Sequence, residues 1–373
     1  MRSKDFLGNL VVLAVAIVFC FIVAEVLFAV FGVSALQQVP NYRTSSDMWH
    51  HGFVPNSSGE FKTSEWDTHY SINSFGFRDR GFSPQKPAGV FRILMLGDSY
   101  AEGYGVEADQ SFPKVLERML NNSEGKNYEV INTGIGSYSP ILEYLVLKYK
   151  GLALQPDLVI LNYDWSDPHD DYIYSRTAVW NGTEFVAVKS VPLERKSFFA
   201  NVRDFLGKHS HVYQFFAKKF AAVTSEIVPG NPESDRVIFL RENLTGEDYS
   251  KWFDNSVPYL LKINSILQQQ NVTFVIHIYP YAAQVSTDAW KSGRAALGFR
   301  KDIVYPLKPF DVMSEFGREN SIPVVSSYSY FRDSPDPSKL YYDYDGHFTA
   351  AGHKVAATAL YDFLENSTLL PGN

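Results

Sequence analysis

Hydrophobic residues form two different patterns along this chain. One apolar run extends from about Leu10 to Phe31, which is long enough to cross a bilayer because a membrane helix needs about 20 residues. From Val90 onward, short apolar runs alternate with segments in which hydrophobic residues recur at helical spacing. The pattern therefore predicts an N-terminal transmembrane helix followed by an α/β fold.

The short apolar runs predict five strands, and the segments between them predict helices. The strands are expected over 91–97, 128–134, 157–163, 272–279 and 322–328, and the helices over 112–120, 141–152, 249–270 and 309–319. A last helix is expected within "FTAAGHKVAATALYDFL", with Thr349 as its N-cap. Nearly continuous apolar strands are typical of sheets covered on both faces. We therefore expect a doubly wound, five-stranded parallel sheet.

Composition along the chain divides it into three regions. Residues 1–33 form the membrane segment, residues 34–88 form an extended N-terminal arm, and residues 89–368 form the α/β domain. An insertion at about 172–248 interrupts the strand–helix alternation. It contains a predicted hairpin around Asn181-Gly182 and a helical stretch over 198–223. We expect the insertion to overhang the edge of the sheet where ligands bind.

Charge and cysteine content limit the partners and the location. The formal net charge is −7 and no long basic run occurs, which argues against nucleic acid as a partner. The one cysteine, Cys20, lies in the apolar run, so this chain can form neither an internal disulfide nor a cysteine metal site. Arg2 and Lys4 precede the run, and the next cation is Arg43. The positive-inside rule then places the remainder outside the cytoplasm, in the periplasm or at the cell surface.

Two features of the apolar run leave alternatives open. Val33-Ser34-Ala35 could serve as a signal-peptide cleavage site, although the length of the run favours an uncleaved anchor. Glu25 is an acid inside the run, where it costs about 2–3 kcal/mol. Glu25 either lies near the outer interface, protonated or reaching for headgroups, or contacts a polar group of a membrane partner.

Four segments that follow predicted strands, or precede the last helix, supply candidate chemistry. In open parallel sheets, ligands bind beyond the carboxyl ends of the strands. Ser99 follows the first strand, in "LMLGDSYAEGYG", and His347 lies in "YYDYDGHFTAAGH" before the last helix. A serine nucleophile needs a base and a group that orients the base. Asp345 lies two residues before His347, on the same side of an extended segment, and Asp343 is the second choice.

The loop after the third strand, "LNYDWSDPHDD", contains residues with more than one interpretation. Trp165 is either a core residue or a surface on which a sugar stacks. His169 lies among Asp167, Asp170 and Asp171, which is compatible with a metal site. An acidic loop that caps a helix or faces solvent is the favoured interpretation, and no metal is predicted.

The motifs together resemble those of the SGNH/GDSL hydrolase superfamily, in particular its membrane-anchored bacterial members. The resemblance rests on "GDSY" (97–100), the Asn-x-Gly loop at 132–134, "QPDLVIL" leading to Asp167, "DGHFTAAGH" (345–353) and the "INSFGFRD" arm. The Asp-x-His spacing is similar to that of polysaccharide O-acetyltransferases related to the alginate system. The resemblance implies a flavodoxin-like three-layer sandwich and chemistry that requires no cofactor.

The resemblance also implies roles for individual residues. Ser99 is the nucleophile, His347 the base and Asp345 the orienting acid. Oxyanion donors are the Ser99 backbone N–H, a backbone N–H of the loop that contains Gly136 and Ser137, and a side chain at Ser166, where the family has asparagine. If the Ser166 hydroxyl does not reach, Asn162 or a water takes its place. Asn162 and Trp165 are the candidate substrate-binding residues.

Two functions follow, of which the first is favoured. The first is a serine-dependent esterase or O-acyltransferase that acts on O-acyl groups of a cell-surface or exported glycan, through an acyl-enzyme on Ser99. Its partners are an acylated glycan or another ester and, for a transferase, a membrane acyl-donor protein. The alternative is a catalytically weak or inactive glycan-binding or assembly factor of a polysaccharide export system, because Ser166 replaces the family's amide donor.

Overall fold

The computed structural model describes residues 2–31, 42–122, 127–190, 197–217 and 235–371. Its strands are β1 (Arg43–Ser45), β2 (His51–Phe53), β3 (Ser58–Lys62), β4 (Asp67–Ser71), β5 (Phe91–Gly97), β6 (Tyr128–Asn132), β7 (Leu158–Tyr163), β8 (Ala178–Asn181), β9 (Glu184–Val188), β10 (Thr273–Ile278) and β11 (Val324–Ser326). Its α-helices are α1 (Arg2–Val30), α2 (Ser99–Glu102), α3 (Phe112–Asn121), α4 (Pro140–Val146), α5 (Asp167–Ser175), α6 (Phe198–His209), α7 (211–217), α8 (Gly246–Phe253), α9 (Val257–Gln269), α10 (Ala282–Val285), α11 (Lys291–Ala296), α12 (Lys308–Glu319), α13 (Tyr328–Arg332) and α14 (Ala350–Glu365).

Five parallel strands form the central sheet in the order β11-β10-β7-β5-β6. This is the strand order of flavodoxin-like folds, in which the order reverses between the first and third strands. Every residue of β7 is buried, as the continuous apolar run "LVILNY" predicts. The predicted α/β fold class is therefore confirmed, and the switch point lies between β5 and β7.

Helices cover both faces of the sheet and make three layers. Helices α3 and α14 pack together on one face, with α3 against β6 and α14 against β11. Helices α4, α8, α9 and α12 cover the other face. The first residue of α14 follows Thr349, whose hydroxyl accepts a hydrogen bond from the Gly352 N–H, so the predicted N-cap is confirmed.

Three of the predicted element boundaries differ from those in the structure. The helix expected over 249–270 is two helices, α8 and α9, because Pro258 lacks a backbone N–H and its ring clashes with the carbonyl four residues earlier, so it fits only in the first turn of a helix. The helix expected over 141–152 ends as α4 at Val146 and continues through a wider π-helical turn, Leu147–Gly151. The last strand shortens to the three residues of β11.

The N-terminal arm forms two antiparallel hairpins, β1–β2 and β3–β4, and packs against the sheet edge that follows β5. Arg78 of the arm is buried, and its guanidinium lies 3.7 Å from the centre of the Tyr70 ring. The same guanidinium donates to the carbonyl oxygens of Gly103 at 2.6 Å and Val106 at 2.5 Å. The arm thus fixes the loop that follows Ser99.

The insertion contains the predicted hairpin, β8–β9, which turns at Asn181-Gly182. The helical stretch expected over 198–223 is broken at Ser210 into α6 and α7, and its part beyond residue 217 lies outside the described residues. At the N-terminus, α1 contains a segment, Gly8–Val30, that is long and apolar enough to cross a membrane, with a mean hydropathy of 3.1. The candidate cleavage site, Val33-Ser34-Ala35, lies outside the described residues.

Candidate active site

Ser99 is the first residue of α2, directly after β5. The Asp98 side chain caps this short helix by accepting the Tyr100 N–H at 2.9 Å. Asp98 also accepts the Tyr279 hydroxyl at 3.2 Å, and burial raises its pKa well above the ordinary value. The strand end, the cap and the buried tyrosine hold the Ser99 hydroxyl at the carboxyl edge of the sheet.

His347 reaches Ser99 from the segment before α14. The His347 Nε2 atom lies 2.7 Å from the Ser99 Oγ, across 248 residues of sequence. The other ring nitrogen, Nδ1, contacts the Asp345 Oδ1. Gly346 lies between the two residues at φ +89°, a left-handed conformation that glycine adopts without steric cost, and this turn directs the carboxylate back onto the imidazole.

His347 and Asp345 each stabilise the charged form of the other. Desolvation lowers the pKa of His347, but the carboxylates of Asp345, Asp98 and Asp164, with Asp345 contributing most, together raise it by more, so the pKa lies above its usual 6.5. Desolvation raises the pKa of Asp345, and His347 more than offsets this, so the pKa lies below its ordinary value. The rings of Tyr100 and Tyr104 lie 4.7 Å and 4.8 Å from the imidazole. The arrangement can hold an imidazolium against a carboxylate while a hydroxyl reacts.

The candidate oxyanion donors differ in their availability. The Ser99 N–H lies in the first turn of α2, where helix N–H groups have no partner within the helix. Ser137 has φ +65°, the left-handed conformation, and lines the same cavity as Ser99. The Gly136 N–H donates instead to the Glu102 Oε2 at 2.6 Å. Gly136 is therefore a wrong prediction as a donor, because its amide is already bonded to a buried carboxylate.

Ser166 also lines the cavity, at the start of α5. Its N–H donates to the Asp164 Oδ1 at 2.7 Å, which fixes the turn and leaves the side chain at the cavity wall. Ser166 thus lies where a hydroxyl donor can face the substrate, whereas its backbone amide is committed to the fold.

Residues from the N-terminal arm support both halves of the site. Arg43 lies 3.3 Å from the Glu102 Oε2, the oxygen that also accepts the Gly136 N–H. Glu65 accepts the backbone N–H groups of Tyr344 and Asp345, each at 2.9 Å. The Glu102 carboxylate, held by Arg43, therefore orders the loop after β6, and the Glu65 carboxylate orders the segment that presents Asp345.

A cavity of about 640 Å³ opens beside Ser99 and His347. Its lining includes Tyr42, Arg43 and Phe61 of the arm, Ser99, Ser137, Ser166 and His347 of the sheet edge, and Val237, Phe239 and Leu240 of the insertion. Residues 237–240 of the insertion therefore form part of the cavity wall at the carboxyl edge of the sheet. The volume is within the range of small-molecule sites, and most of the wall is apolar or aromatic.

The two residues predicted to bind substrate are buried in the core. Trp165 is 1% exposed, and its indole N–H donates to the Tyr279 carbonyl at 2.8 Å. Asn162 is 0% exposed; its amide donates to the Leu96 carbonyl at 2.6 Å, and its oxygen lies 2.8 Å from the His277 Nδ1. Because neither side chain lines the cavity, the predicted substrate-binding role is wrong for both, and Asn162 cannot replace a donor at Ser166.

Two further candidates have other partners. Asp343, the second choice for the orienting acid, bonds Ser292 through its side chain and accepts the Gly293 N–H through its carbonyl. His169 lies 3.2 Å from Asp170, and the Asp167 carboxylate accepts the Asp164 N–H. Among the described residues, no group of three or more His, Cys, Asp or Glu side chains is arranged to hold a metal ion.

Sequence reasoning missed Arg43, Glu65 and the wall formed by Val237, Phe239 and Leu240. The arm residues lie in short polar hairpins without a catalytic motif, so no spacing indicates their contacts with residues far along the chain. For the wall, the signal was the position of the insertion, which predicted an overhang but not the residues that line it.

No protein-family model matches the chain, and no curated protein matches it. Among solved structures, the fold is similar to a lipase/acylhydrolase from Enterococcus faecalis, at 14% identity over 74% of this chain and 95% of that one, with a TM-score of 0.36. It is also similar to an acetyl xylan esterase, at 12% identity over 74% of this chain and 100% of that one, with a TM-score of 0.38. The function proposed next rests on the geometry of the site.

Proposed function

We propose that this protein is a membrane-anchored serine esterase or O-acyltransferase. The observation that carries the proposal is the array of Ser99, His347 and Asp345 at the mouth of a cavity. A hydroxyl 2.7 Å from an imidazole nitrogen, with a carboxylate on the other nitrogen, is the arrangement that activates a serine for attack on a carbonyl.

In the first half of the reaction, the Ser99 Oγ attacks the ester carbonyl carbon while the His347 Nε2 accepts the hydroxyl proton. The resulting imidazolium is stabilised by the Asp345 carboxylate. The tetrahedral intermediate then breaks its bond to the alcohol oxygen, and His347 returns the proton to that oxygen. The products of this half are a free alcohol and an acyl group on Ser99.

The developing oxyanion requires donors that point into the cavity. The Ser99 N–H, the Ser137 N–H and the Ser166 hydroxyl are the candidates that line it. The loss of one such donor typically lowers the rate by about 10²–10³. A serine hydroxyl at Ser166 is shorter than an amide side chain, so we expect a smaller contribution from this donor.

In the second half, His347 deprotonates either water or an acceptor hydroxyl, which attacks the acyl carbon. The tetrahedral intermediate then breaks its bond to the Ser99 Oγ, and His347 returns the proton to that oxygen. Water gives ester hydrolysis, and a sugar hydroxyl gives acyl transfer. We propose an O-acyl group on a cell-surface or exported glycan as the substrate, supported by the apolar N-terminal helix and by the sequence resemblance. For the transferase form, the acyl donor is a membrane protein.

Labelling with a fluorophosphonate probe tests whether Ser99 is an activated nucleophile. The full-length protein in detergent micelles should be labelled, and Ser99→Ala should abolish the labelling. Ser265→Ala is the matched control, because this serine is exposed on α9 away from the cavity. If wild type and Ser99→Ala are labelled equally or not at all, the enzyme proposal fails and a glycan-binding or assembly factor is favoured.

Product analysis separates hydrolysis from transfer. The protein is incubated with a p-nitrophenyl acyl ester, with and without a soluble glycan. Both outcomes release p-nitrophenol, and free acid as the one acyl-containing product in both reactions indicates an esterase. Acylated glycan that depends on Ser99 indicates a transferase.

A further inference from the structure

Glu25 of α1 makes its polar contacts within this chain. Its carboxylate accepts the backbone N–H of His211 at 2.7 Å and that of Val212 at 3.3 Å, and it accepts the Ser210 hydroxyl. These donors lie at the start of α7, where helix N–H groups lack partners within the helix. The carboxylate in the apolar helix is therefore hydrogen-bonded by the insertion of the same chain.

The contact places the start of α7 at the depth of the apolar segment of α1. Glu25 lies five residues before Val30, the end of that segment, which corresponds to about 8 Å along a helix. One turn further along α1, the Phe28 ring packs against Phe215 of α7 with the ring centres 5.2 Å apart. Helix α7 thus packs on α1 at two successive turns.

Helix α6, which leads into this contact, exposes an apolar stripe. Phe198, Val202 and Phe205 follow one another at spacings of four and three residues, and Phe199 flanks them. Phe199 is 82% exposed and Phe205 is 61% exposed. Phe216 of α7 is exposed as well. A stripe of large aromatic side chains is costly in water, and it adjoins a helix suited to a bilayer.

We infer that α6 and α7 form a hairpin seated in the outer boundary of the lipid bilayer, with the exposed phenylalanines among the acyl chains. The inference rests on the membrane-anchored form of the proposed function. Amphipathic helices at a bilayer surface bury their apolar face by about 5–10 Å, which matches the depth at which Glu25 meets α7. The occupant of the apolar stripe is therefore lipid, and α1 is a packed part of the folded protein.

The inference assigns Glu25 a positioning role. Its carboxylate caps α7 in a region with little water, where unsatisfied N–H groups are costly. Removal of the acid should release the hairpin from α1 without changing Ser99. Membrane depth of the hairpin and reactivity of the catalytic serine are thus separate readouts.

Depth measurement with a fluorescent label tests the inference. In a Cys20→Ser background of the full-length protein, Phe199→Cys or Phe205→Cys carries an environment-sensitive nitrobenzoxadiazole label. The protein is reconstituted into phosphatidylcholine–phosphatidylglycerol vesicles with nitroxide-labelled lipids. We expect blue-shifted emission and quenching about twofold or more above that of the matched Glu315→Cys control on the exposed face of α12.

Two results overturn the inference. Quenching equal to that of the Glu315→Cys control places the stripe in water. A shielded label that resists lipid quenching, and whose emission changes with the protein-to-lipid ratio, identifies a second copy of this chain as the occupant. Fluorophosphonate labelling of each variant is measured in parallel. If Ser99 is not labelled in wild type, the proposed function fails while the depth measurement still stands.

Replacement of Glu25 tests the capping contact. In the Phe205→Cys background, Glu25→Leu should reduce lipid quenching of the label, because α7 loses three hydrogen bonds to α1. Glu25→Gln retains an acceptor oxygen and should have a smaller effect. Equal quenching in all three proteins would remove Glu25 from the inference.

Discussion

Two serine–histidine arrays lie in the part of the chain that the structure describes, one at the edge of the sheet and one inside it. At the edge, His347 lies between Ser99 and Asp345 and lines the cavity. Inside, His277 of β10 lies between the Asn162 oxygen at 2.8 Å and the Ser327 hydroxyl at 2.5 Å. Both imidazoles bridge a hydroxyl and a side-chain oxygen, yet their environments differ in two respects.

The first difference is the side chain on the Nδ1 atom of the imidazole, which is the Asp345 carboxylate at the edge and the Asn162 amide inside. A carboxylate raises the pKa of His347 above 6.5, whereas burial without a carboxylate lowers the pKa of His277 to about 3. The second difference is access, because His277 is 0% exposed. A serine–histidine contact by itself therefore does not define a catalytic site. An orienting charge and an open cavity must accompany it.

The largest expected effect breaks the edge array. Ser99→Ala or His347→Ala should lower kcat for p-nitrophenyl acetate by about 10⁴-fold or more, because nucleophile and base act as one unit. Ser327→Ala, in the interior array, should change kcat per folded molecule by less than about threefold. Comparable losses in all three variants would contradict the distinction between the arrays.

The second prediction removes the charge and keeps the shape. Asp345→Asn should lower kcat by about 10³-fold, because the imidazolium loses its counter-charge and the ring loses its orientation. In wild type, kcat/KM should rise with pH through the raised pKa of His347, above 6.5, since the neutral imidazole is the base. In Asp345→Asn this rise, the acidic limb of the pH profile, should move to lower pH.

Asp343→Asn is the matched control for the pH profile, because Asp343 bonds Ser292. Its profile should overlay that of wild type. A limb that moves in the control, or stays in place in Asp345→Asn, would count against Asp345 as the orienting acid.

The third prediction concerns stability and the interior array. His277→Gln should lower the free energy of unfolding by about 2–3 kcal/mol, because Asn162 and Ser327 lose a buried partner. The folded-state pKa of His277 is below its unfolded value, so the unfolded chain binds the extra proton between about pH 6.5 and pH 3. The stability that the neutral ring contributes is therefore present above pH 6.5 and is lost as pH falls.

Urea unfolding in detergent micelles at several pH values measures this effect. Below about pH 6.5, the variant should lose stability less steeply than wild type, by about 1.4 kcal/mol per pH unit for the one proton removed. Identical slopes would show that His277 does not resist protonation in the folded protein.

The fourth prediction sharpens the edge site by testing one donor. Ser166→Ala should lower kcat by about tenfold with little change in the pH profile, because a hydroxyl donor is lost while the base is untouched. Ser166→Asn restores an amide and should match or exceed wild type. Full activity of Ser166→Ala would leave the backbone donors of Ser99 and Ser137 to stabilise the oxyanion.

The smallest effect concerns the backbone at Ser137. Ser137→Gly should raise the free energy of unfolding by about 0.5 kcal/mol, because relief of a left-handed conformation slightly exceeds the entropy cost of glycine. Ser321→Gly, at φ +55° in a turn far from the cavity, is the control and should gain a similar amount. Thermal unfolding of both variants measures the difference, and a loss of stability at Ser137 alone would mean that its side chain supports the site.

The amino-acid sequence determined the layout of strands and helices and the three residues of the edge array. Apolar runs specify buried strands because the side chains of such strands must be apolar on both faces. Parallel strands bring their carboxyl ends to one edge, so Ser99 and His347 could be placed together from their positions beside predicted elements. The spacing of Asp345 and His347 supplied the third group.

Tertiary structure alone decided which polar residues face the cavity. Trp165 and Asn162 lie near Ser166 in sequence, but packing against Tyr279 and His277 turns them inward. Glu65 and Arg43 reach the site from short hairpins, across 280 residues to Asp345 and 59 to Glu102. Such contacts depend on how loops fold over one another, and no local periodicity records them, because periodicity reports only the face of an element that is buried.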